Sequence, residues 1–525
     1  MGGLRGRLAH LLAEAPDDAR AVDFDDRWHH WALFRSVAAR LDDLLTSRGL
    51  GAAARVGLVI ENGPEHVAAL VGLIAQGYCV VTLSPLQPPE RLAGAIEESS
   101  LPAVLASPGV LQDEKVREAV TASGVILRLE PDGAVTELGG GVSGSANSAN
   151  PGVMIEMFTS GTTGPPKRIE LTDRQVDRAI RTAVAPPADG RLFRGSVGLV
   201  VAPLAHIGGL WSVLSPLYAG RSIAMLPKFS VEPWARLVAK HRPRAAGLVP
   251  AALRAVLDAD LPRDRIQSLE VVTCGTAYCP PELASAFFDK YGVRVLMTYG
   301  ATEFAGAVAR WTKPMHQRWW ERKKGSVGRA TRGVELRVVG HGGDEVPAGH
   351  EGVLEIRTAQ APQGGDAWVR TSDRAMIDED GFLFINGRTD DIIVRGGFKV
   401  RPLVIQQALE RHPAVREAAV LPLPDPRLGQ VPVAAVEVGG NGERPTSDGL
   451  KTLCRETLTA YEVPVFVAVL DELPRTASAK VSRVDLLERI TAEIGSGSAG
   501  GAVTGRNTGV KDGDAVKDDQ GKVKP

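Results

Sequence analysis

The stretch that decides how this sequence is interpreted is the nine-residue run Thr159-Ser160-Gly161-Thr162-Thr163-Gly164-Pro165-Pro166-Lys167. It follows the apolar run 153–158, which predicts a buried strand. Glycines let backbone amides approach an anion, hydroxyl groups donate hydrogen bonds, and lysine adds positive charge. The run therefore indicates a phosphate-binding loop, although the same residue types are typical of an exposed turn. It is not a Walker A loop, because Pro166 precedes Lys167 and Arg168 follows it.

Strand and helix patterns alternate on both sides of this run. Apolar runs that predict buried strands, such as 54–62 and 79–85, alternate with helical patterns at 31–49 and 66–78. The alternation resumes after the Gly/Ser/Asn-rich stretch 139–152. This succession predicts an α/β fold with a mainly parallel sheet that is covered by helices.

The pattern changes toward the C-terminus. From about residue 325, short strands separated by turns predict a β-rich subdomain, and a smaller unit of strands and helices follows Gly387. Residues 494–525 carry almost no large apolar side chain. We expect this tail to be disordered, because it cannot offset the entropy cost of ordering.

The composition excludes several classes of protein. The 525 residues include 61 Lys and Arg against 62 Asp and Glu, so bulk attraction to nucleic acid or to an anionic membrane is not expected. The basic stretch 313–324 is interpreted as a surface loop that packs its tryptophans. Four cysteines without a CxxC pair indicate a reducing compartment. Neither a signal peptide nor a membrane-spanning run of roughly 18 apolar residues is found, so we expect a cytoplasmic protein.

Three further motifs follow the nine-residue run. They are Tyr299-Gly300-Ala301-Thr302-Glu303, Trp368-Val369-Arg370-Thr371-Ser372-Asp373 and Leu473-Pro474-Arg475-Thr476-Ala477-Ser478-Ala479-Lys480. In this order, the four motifs resemble those of the adenylate-forming superfamily, which includes acyl- and aryl-CoA synthetases, luciferases and the adenylation domains of peptide synthetases. The resemblance extends to about residue 492. Ser372 and Ala479 replace glycines that are usual in the family.

The resemblance implies roles for single residues. Tyr299 would face adenine, and Asp373 would bond the ribose hydroxyls. Lys480 matches the catalytic lysine, Thr302 would meet the α-phosphate, and Glu303 would ligate Mg²⁺. The residues implied in ATP and AMP binding are Thr159, Ser160, Gly161, Thr162, Thr163, Gly164, Lys167, Gly275, Thr276, Ala277, Tyr299, Gly300, Asp373 and Arg388. The implied catalytic residues are Lys480, Thr302, Glu303 and His206.

The resemblance also implies sites for the acid and for the thiol. The acyl pocket would include His206, Gly208, Gly209 and Phe304. His206 could orient the carboxylate or be a structural histidine, and the sequence favours neither interpretation over the other. No aspartate stands in this region to pair with an α-amino group, which disfavours an amino acid substrate. The pantetheine tunnel would include Gly396, Gly397, Phe398 and Lys399.

A hinge is implied between two domains. Asp390 matches the family's hinge, about which a small domain rotates, whereas Asp391 is interpreted as a solvated neighbour. The expected fold class is α/β. A large N-terminal domain would consist of α/β subdomains plus a β-rich subdomain, and a small mobile α+β C-terminal domain would follow it. The expected boundaries are 1–388 for the adenylation domain, 389–391 for the hinge, 392–493 for the mobile domain and 494–525 for the tail.

The implied activity is activation of a hydrophobic acid, fatty or aryl, as acyl-AMP and its transfer to the thiol of coenzyme A. ATP, Mg²⁺ and coenzyme A would take part, and AMP and pyrophosphate would be released. Three alternatives stay open: a stand-alone adenylation enzyme that loads an acyl carrier protein in secondary metabolism, an enzyme with another acceptor such as an amine, and a noncatalytic nucleotide-binding protein. Intact Lys480, Glu303 and Asp373 disfavour the last. A homodimer is compatible with the sequence, and no nucleic-acid partner is expected.

Overall fold

The N-terminal part of the chain forms a seven-stranded sheet. The computed structural model describes residues 3–497 apart from 142–148, 160–166, 341, 363, 440–441 and 477–479. The first elements are α1 (Leu4–Glu14), β1 (Arg20–Phe24), β2 (Arg27–His30), α2 (Trp31–Ser47), β3 (Arg55–Val59), α3 (Pro64–Gln76), β4 (Cys79–Leu83), α4 (Pro89–Ser99), β5 (Ala103–Ala106), α5 (Glu114–Ser123), β6 (Val125–Leu129), β7 (Val135–Gly139), β8 (Val153–Thr159) and β9 (Lys167–Thr172). The strand order is β7-β6-β5-β3-β4-β8-β9, parallel except at the two edges.

Helices cover both faces of this sheet. Successive residues of a strand point to opposite faces, so Leu58 packs with α2 and α3 whereas Val59 packs with α4 and α5. The all-buried pattern of β3 and β4 follows from this double cover. The result is a rigid base from which β8 runs toward the Gly-rich run.

The middle of the chain adds two more sheets. Its elements are α6 (Asp173–Ala183), β10 (Val197–Val200), α7 (Ile207–Tyr218), β11 (Ser222–Met225), α8 (Val231–His241), β12 (Ala245–Leu248), α9 (Pro250–Asp258), β13 (Val271–Cys274), α10 (Pro281–Tyr291), β14 (Arg294–Ala301), β15 (Gly306–Arg310), α11 (Lys313–Trp319) and β16 (Arg329–Ala330). One sheet has the order β10-β11-β1-β2, and the other has the order β12-β13-β14-β15-β16. The stretch 313–324, interpreted above as a surface loop, instead contains α11 and buries Trp320 in the core.

The C-terminal part holds an antiparallel sheet and a smaller unit with cores of its own. The elements are β17 (Val334–Val339), β18 (Glu351–Thr358), β19 (Val369–Ile377), β20 (Leu383–Arg388), β21 (Ile393–Arg395), β22 (Phe398–Val400), α12 (Pro402–Leu409), β23 (Val415–Asp425), β24 (Gly429–Val438), α13 (Ser447–Thr457), β25 (Phe466–Leu470) and α14 (Arg483–Gly497). Strands β17 to β20 pair in sequence, and the last sheet has the order β22-β21-β24-β23 with β25 beside β24. Apolar clusters that involve only residues beyond 392 pack around this last sheet.

These elements confirm the predicted fold class, including the α/β sheets, the β-rich subdomain and the small C-terminal unit. One detail of the expected tail differs, because α14 continues to Gly497 and Ile494 packs against the C-terminal core. Residues 498–525 lie outside the described residues. Among the helices that the structure describes, none is long and apolar enough to cross a membrane.

Candidate active site

The ends of β14 and β19 bring Tyr299 and Asp373 into contact. The phenol of Tyr299 donates a hydrogen bond to Oδ2 of Asp373, which stands opposite Arg388 in the β19–β20 pairing. Burial and the negative charge of Asp373 raise the pKa of Tyr299, so the phenol keeps its proton. Desolvation is also the largest cause of the raised pKa of Asp373. Three residues that lie far apart in sequence thus form one polar cluster, at the place implied for ribose and adenine.

Arg388 links this cluster to the predicted hinge. Its Nε and Nη2 atoms donate to the two carboxylate oxygens of Asp390 at 2.8 and 2.7 Å. This bidentate pair raises the pKa of Arg388 and lowers that of Asp390. Asp391 is not a solvated neighbour, because its Oδ1 accepts a hydrogen bond from Nη1 of Arg483 at 2.8 Å. The adjacent aspartates therefore bind two different arginines, Asp390 the nearby Arg388 and Asp391 the distant Arg483.

Thr302 and Glu303 lie in a single 3₁₀ turn directly after β14. The backbone must come very close to itself here, because a Cβ atom on Gly300 would lie 2.0 Å from the carbonyl oxygen of Gly306. The charge of Glu303 contributes to the raised pKa of Asp373, so the two carboxylates are neighbours. Within the described residues, no group of three or more His, Cys, Asp or Glu side chains is arranged to hold a metal ion. Glu303 could thus supply only part of a metal's coordination shell.

Lys480 comes from the C-terminal unit and lies close to both Arg388 and His206. The charge of Lys480 is one cause of the lowered pKa of His206, and the charge of Arg388 is one cause of the lowered pKa of Lys480. Desolvation is the larger cause in each case. The Lys480 side chain is exposed to solvent. The charge of the C-terminal lysine is therefore felt by His206, and that of Arg388 by the lysine, in this conformation.

His206 is held neutral at physiological pH. Desolvation and Lys480 lower its pKa to about 4, and its buried Nε2 has no hydrogen-bond partner in the described parts of the chain. The residue precedes α7, whose first turn contains Gly208 and Gly209. A Cβ atom on Gly209 would lie 2.0 Å from the carbonyl oxygen of Pro203, whereas a Cβ atom on Gly208 would meet open space. Gly209 is thus needed for packing, and Gly208 leaves room beside His206.

The loop after β13 carries the segment implied to lie against adenine. Thr276 adopts a φ of 71°, a left-handed conformation that is uncommon outside glycine and often found at functional sites. Both Thr276 and Ala277 are exposed, and Gly275 packs closely on Thr298. The next residue, Tyr278, accepts a hydrogen bond at 3.2 Å from Nε2 of Gln407 in α12. This loop therefore also contacts the C-terminal unit.

A family relationship accounts for this arrangement. The AMP-binding enzyme family matches residues 8–364, and the C-terminal domain of AMP-binding enzymes matches residues 404–480. The chain belongs to the AMP-binding enzyme family. The resemblance noted in the sequence is confirmed by these matches.

Named relatives of this family member are CoA ligases. A sulfoacetate–CoA ligase of Cupriavidus necator is 29% identical over 90% of this chain and 93% of its own length. An indoleacetate–CoA ligase of Aromatoleum aromaticum is 30% identical over 90% of this chain and 95% of its own length. Among solved structures, ATP-bound MatB from Rhodopseudomonas palustris has a TM-score of 0.77 and 22% identity, and it covers 92% of this chain and 98% of its own. At that identity the last likeness shows the fold alone.

Other implied site residues lie on an exposed turn or within a core. Gly396 and Gly397 form the turn between β21 and β22, with φ values of 55° and 89°, and Lys399 is exposed. Phe398 is 56% exposed and stacks on Tyr461 at 4.6 Å between ring centroids. Phe304, implied for the acyl pocket, is 3% exposed within the core that β15, β17 and β18 share. Its place in the pocket wall stays a prediction.

The Gly-rich run is described only at its two ends. Thr159 and Lys167 pair with each other across the β8–β9 hairpin, whereas Ser160, Gly161, Thr162, Thr163 and Gly164 lie outside the described residues. Within β8, the carboxylate of Glu156 binds the guanidinium of Arg55 at 2.9 and 2.7 Å, and both side chains are buried. This bidentate pair ties the middle of β8 to the start of β3. Sequence reasoning missed it, because its members are 101 residues apart.

Asn62 is a second residue that the sequence analysis missed. Its Nδ2 donates to the carbonyl oxygens of Ala202 and Leu226 at 3.2 and 3.0 Å, and its Oδ1 accepts from the backbone of Leu204 at 3.0 Å. The amide thereby holds the segment that leads to His206. A lone asparagine after a strand is typical of a turn, so the sequence carried no signal for this role.

Proposed function

We propose that this chain is an AMP-forming acid–thiol ligase. It activates a carboxylic acid with ATP as acyl-adenylate and then transfers the acyl group to the thiol of coenzyme A. The observation that carries the proposal is that Lys480 of the C-terminal unit is near enough to His206 and Arg388 of the N-terminal part for their charges to interact. A cation at this junction is what the first half-reaction requires, and the CoA ligases among the named relatives support the choice of acceptor.

In the first half-reaction two anions must meet. A carboxylate oxygen attacks the α-phosphorus of ATP, the bond to the bridging oxygen of the β-phosphate breaks, and pyrophosphate leaves. The Lys480 ammonium would reduce the repulsion between the carboxylate and the α-phosphate. Neutral His206 can hydrogen-bond the acid without adding a second charge. Tyr299, Asp373 and Arg388 would hold the nucleoside in place.

The protein would supply only part of the ligands that Mg²⁺ needs at this site. Glu303 offers one carboxylate, which suits an ion that keeps several waters and takes further oxygen ligands from the phosphates of a nucleotide. When bound, such an ion would neutralise charge on the phosphates. Lys167, exposed at the end of the β8–β9 hairpin next to the Gly-rich run, would add positive charge near them.

The second half-reaction needs a different arrangement. The thiol sulfur attacks the acyl carbonyl, its proton leaves, and the bond to AMP breaks. Gly396, Gly397, Phe398 and Lys399 would line the approach of the thiol after the C-terminal unit, 392–493, turns about Asp390. In the present conformation that turn faces solvent, and the two hinge aspartates bind Arg388 and Arg483. We propose that these ion pairs exchange during the rotation.

The acid is proposed to be hydrophobic, either fatty or aryl, as the family resemblance implies, and the open space at Gly208 near His206 would leave room for a bulky acyl group. A carrier protein would present the same pantetheine thiol as coenzyme A. A homodimer is also part of the proposal. The compartment is proposed to be a reducing cytoplasm, since Cys79, Cys274, Cys279 and Cys454 are buried free thiols.

The test is mass spectrometry of the full chain with ATP, Mg²⁺ and a panel of fatty and aryl acids, with and without CoA. The expected product is an acyl-CoA, which also identifies the acid. Accumulation of acyl-adenylate without thioester, in the presence of CoA, would overturn the proposed acceptor and move it to a carrier protein or an amine. Absence of adenylate with every acid would contradict the proposed hydrophobic substrate.

A further inference from the structure

Helix α6 presents three arginines to one depression in the surface. Arg174, Arg178 and Arg181 stand at helical positions i, i+4 and i+7, so they share a face of the helix. All three are exposed. Together with Asp177 and Ala359 they line a depression of about 460 Å³. None of these residues belongs to the candidate active site.

The positive charge of this face is only partly offset by its own helix, because one carboxylate, Asp177, lines the depression with the three arginines. Asp173 pairs with Arg5 of α1 at 3.1 Å, whereas Asp177 accepts a hydrogen bond from the neutral backbone amide of Leu4 and keeps its negative charge. In the part of the chain that the structure describes, no side-chain hydrogen bond or ion pair to Arg174, Arg178 or Arg181 is found. Three like charges around one depression repel one another, and a bound anion would relieve that repulsion.

The walls of the depression are fixed relative to each other. Gln175, buried on the inner side of α6, caps the helix with Thr172 and donates from Nε2 to the carbonyl oxygen of Gln360 at 3.0 Å. This bond holds the segment with Ala359 against the helix. On the other side, a Cβ atom on Gly333 would lie 2.8 Å from Nη2 of Arg178, so glycine leaves room for the guanidinium.

We propose that the α6 arginine face binds a small molecule that carries two or more phosphate groups. Guanidinium groups bind phosphate oxygens in a bidentate manner. Arg174 and Arg181 are separated by seven residues, or about 10 Å of helix, which exceeds the span of one phosphate. The depression falls in the size range of small-molecule sites, roughly 300–1,000 Å³. The site goes beyond the proposed function and does not depend on it.

Two molecules of the proposed reaction carry this chemistry. Pyrophosphate is the product of the first half-reaction, and coenzyme A carries a diphosphate and a 3′-phosphate. Isothermal calorimetry of the full chain with pyrophosphate, with coenzyme A and with phosphate-free pantetheine distinguishes these sources. The variant is R174Q/R178Q/R181Q. Its control is R27Q/R236Q/R242Q, which removes three exposed arginines around β2 and α8 and so matches the change in net charge.

We expect the α6 triple variant to bind pyrophosphate, coenzyme A or both at least about tenfold more weakly than the wild type, with the control within about twofold. Pantetheine binding should be the same in all three proteins. A loss confined to one ligand supports the site and identifies its source. Equal affinities for both phosphate ligands in the α6 variant and the control would overturn the proposal. Acyl-adenylate formation, measured in the same proteins, reports separately on the proposed ligase activity.

Discussion

The two sides of the candidate site are held by different kinds of interaction. On the side of the large N-terminal part, the Arg55–Glu156 pair and the Tyr299–Asp373 contact lie among buried or half-buried groups. On the side of the C-terminal unit, the contacts between Gln407 and Tyr278 and between Arg416 and Asp258 are partly exposed. Removing one member of a buried pair leaves an unsolvated charge, whereas an exposed pair exchanges readily with water. From this difference we expect the N-terminal side to stay fixed and the C-terminal unit to move in the proposed rotation.

Replacing Glu156 by Gln should have the largest effect of the changes that test this comparison, and the effect is on stability. The change leaves the buried Arg55 guanidinium without its counter-charge, so we expect the free energy of unfolding to fall by about 3–5 kcal/mol. Chemical denaturation measures this. The control is Glu137→Gln, which breaks the exposed pair with Arg48 and should cost no more than about 1 kcal/mol. Equal losses in the two variants would remove the distinction between buried and exposed pairs.

Lys480→Ala should separate the two half-reactions. Because it removes the cation between carboxylate and α-phosphate, acyl-adenylate formation should fall about 10²–10³-fold. Thioester formation from added acyl-adenylate should be retained, as single-turnover assays can show. Lys451→Ala, which removes another lysine of the C-terminal unit from its pair with Asp448, serves as the control. Full ATP-dependent activity of the Lys480 variant would contradict the assigned role.

Tyr299→Phe tests the fixed side of the site without removing the aromatic ring. The variant loses the hydrogen bond to Asp373, and bonds to charged groups contribute about 1.5–3 kcal/mol. We expect the KM for ATP to rise roughly tenfold while the KM for the acid changes little. Tyr291→Phe, which loses a buried bond to the carbonyl oxygen of Val256, is a control for general destabilisation. A similar rise in both KM values would point to a purely structural effect.

Glu410→Gln tests how the stability of the C-terminal unit depends on pH. Desolvation raises the pKa of Glu410 to about 7, although Gln406, the backbone of Ala418 and Arg254 act in the opposite direction. The folded state therefore holds this proton more tightly than the unfolded state does. Wild-type stability should decline as pH rises from about 4.5 to 7, by on the order of 1 kcal/mol, and the variant should lack this decline. Chemical unfolding at pH 5 and pH 7.5 measures the difference, and parallel curves would contradict it.

Reversing the ion pair between Arg416 and Asp258 should have the smallest effect. The pair spans the C-terminal unit and α9 at 3.2 Å, and both side chains are about one-third exposed. Arg416→Asp should slow acyl-adenylate formation by about fivefold or less, which corresponds to about 1 kcal/mol. The double variant Asp258→Arg/Arg416→Asp should recover most of the rate. No change in either protein would show that this contact does not help to dock the C-terminal unit.

The order of elements and the main motifs could be predicted from the sequence. Hydrophobic periodicity indicated the α/β alternation because strands and helices bury their faces with distinct local periods. The β14 segment with Tyr299 and the β19 segment with Asp373 were recognisable as short runs. The amphipathic α1 and the strands β1 and β2, in contrast, were not assigned. Their packing against α3 and β11 is set by contacts distant in sequence.

The sequence by itself determined which chemical groups this protein has and the local elements that carry them. Only the tertiary structure decided which groups meet. It placed Asn62 against the segment before His206, gave Asp391 a partner in Arg483, buried Phe304 in a core, and left the arginines of α6 without carboxylate partners in the described part of the chain. The physical reason is that local periodicity reflects the chain's own dihedral preferences, whereas ion pairs and burial depend on segments that folding brings together.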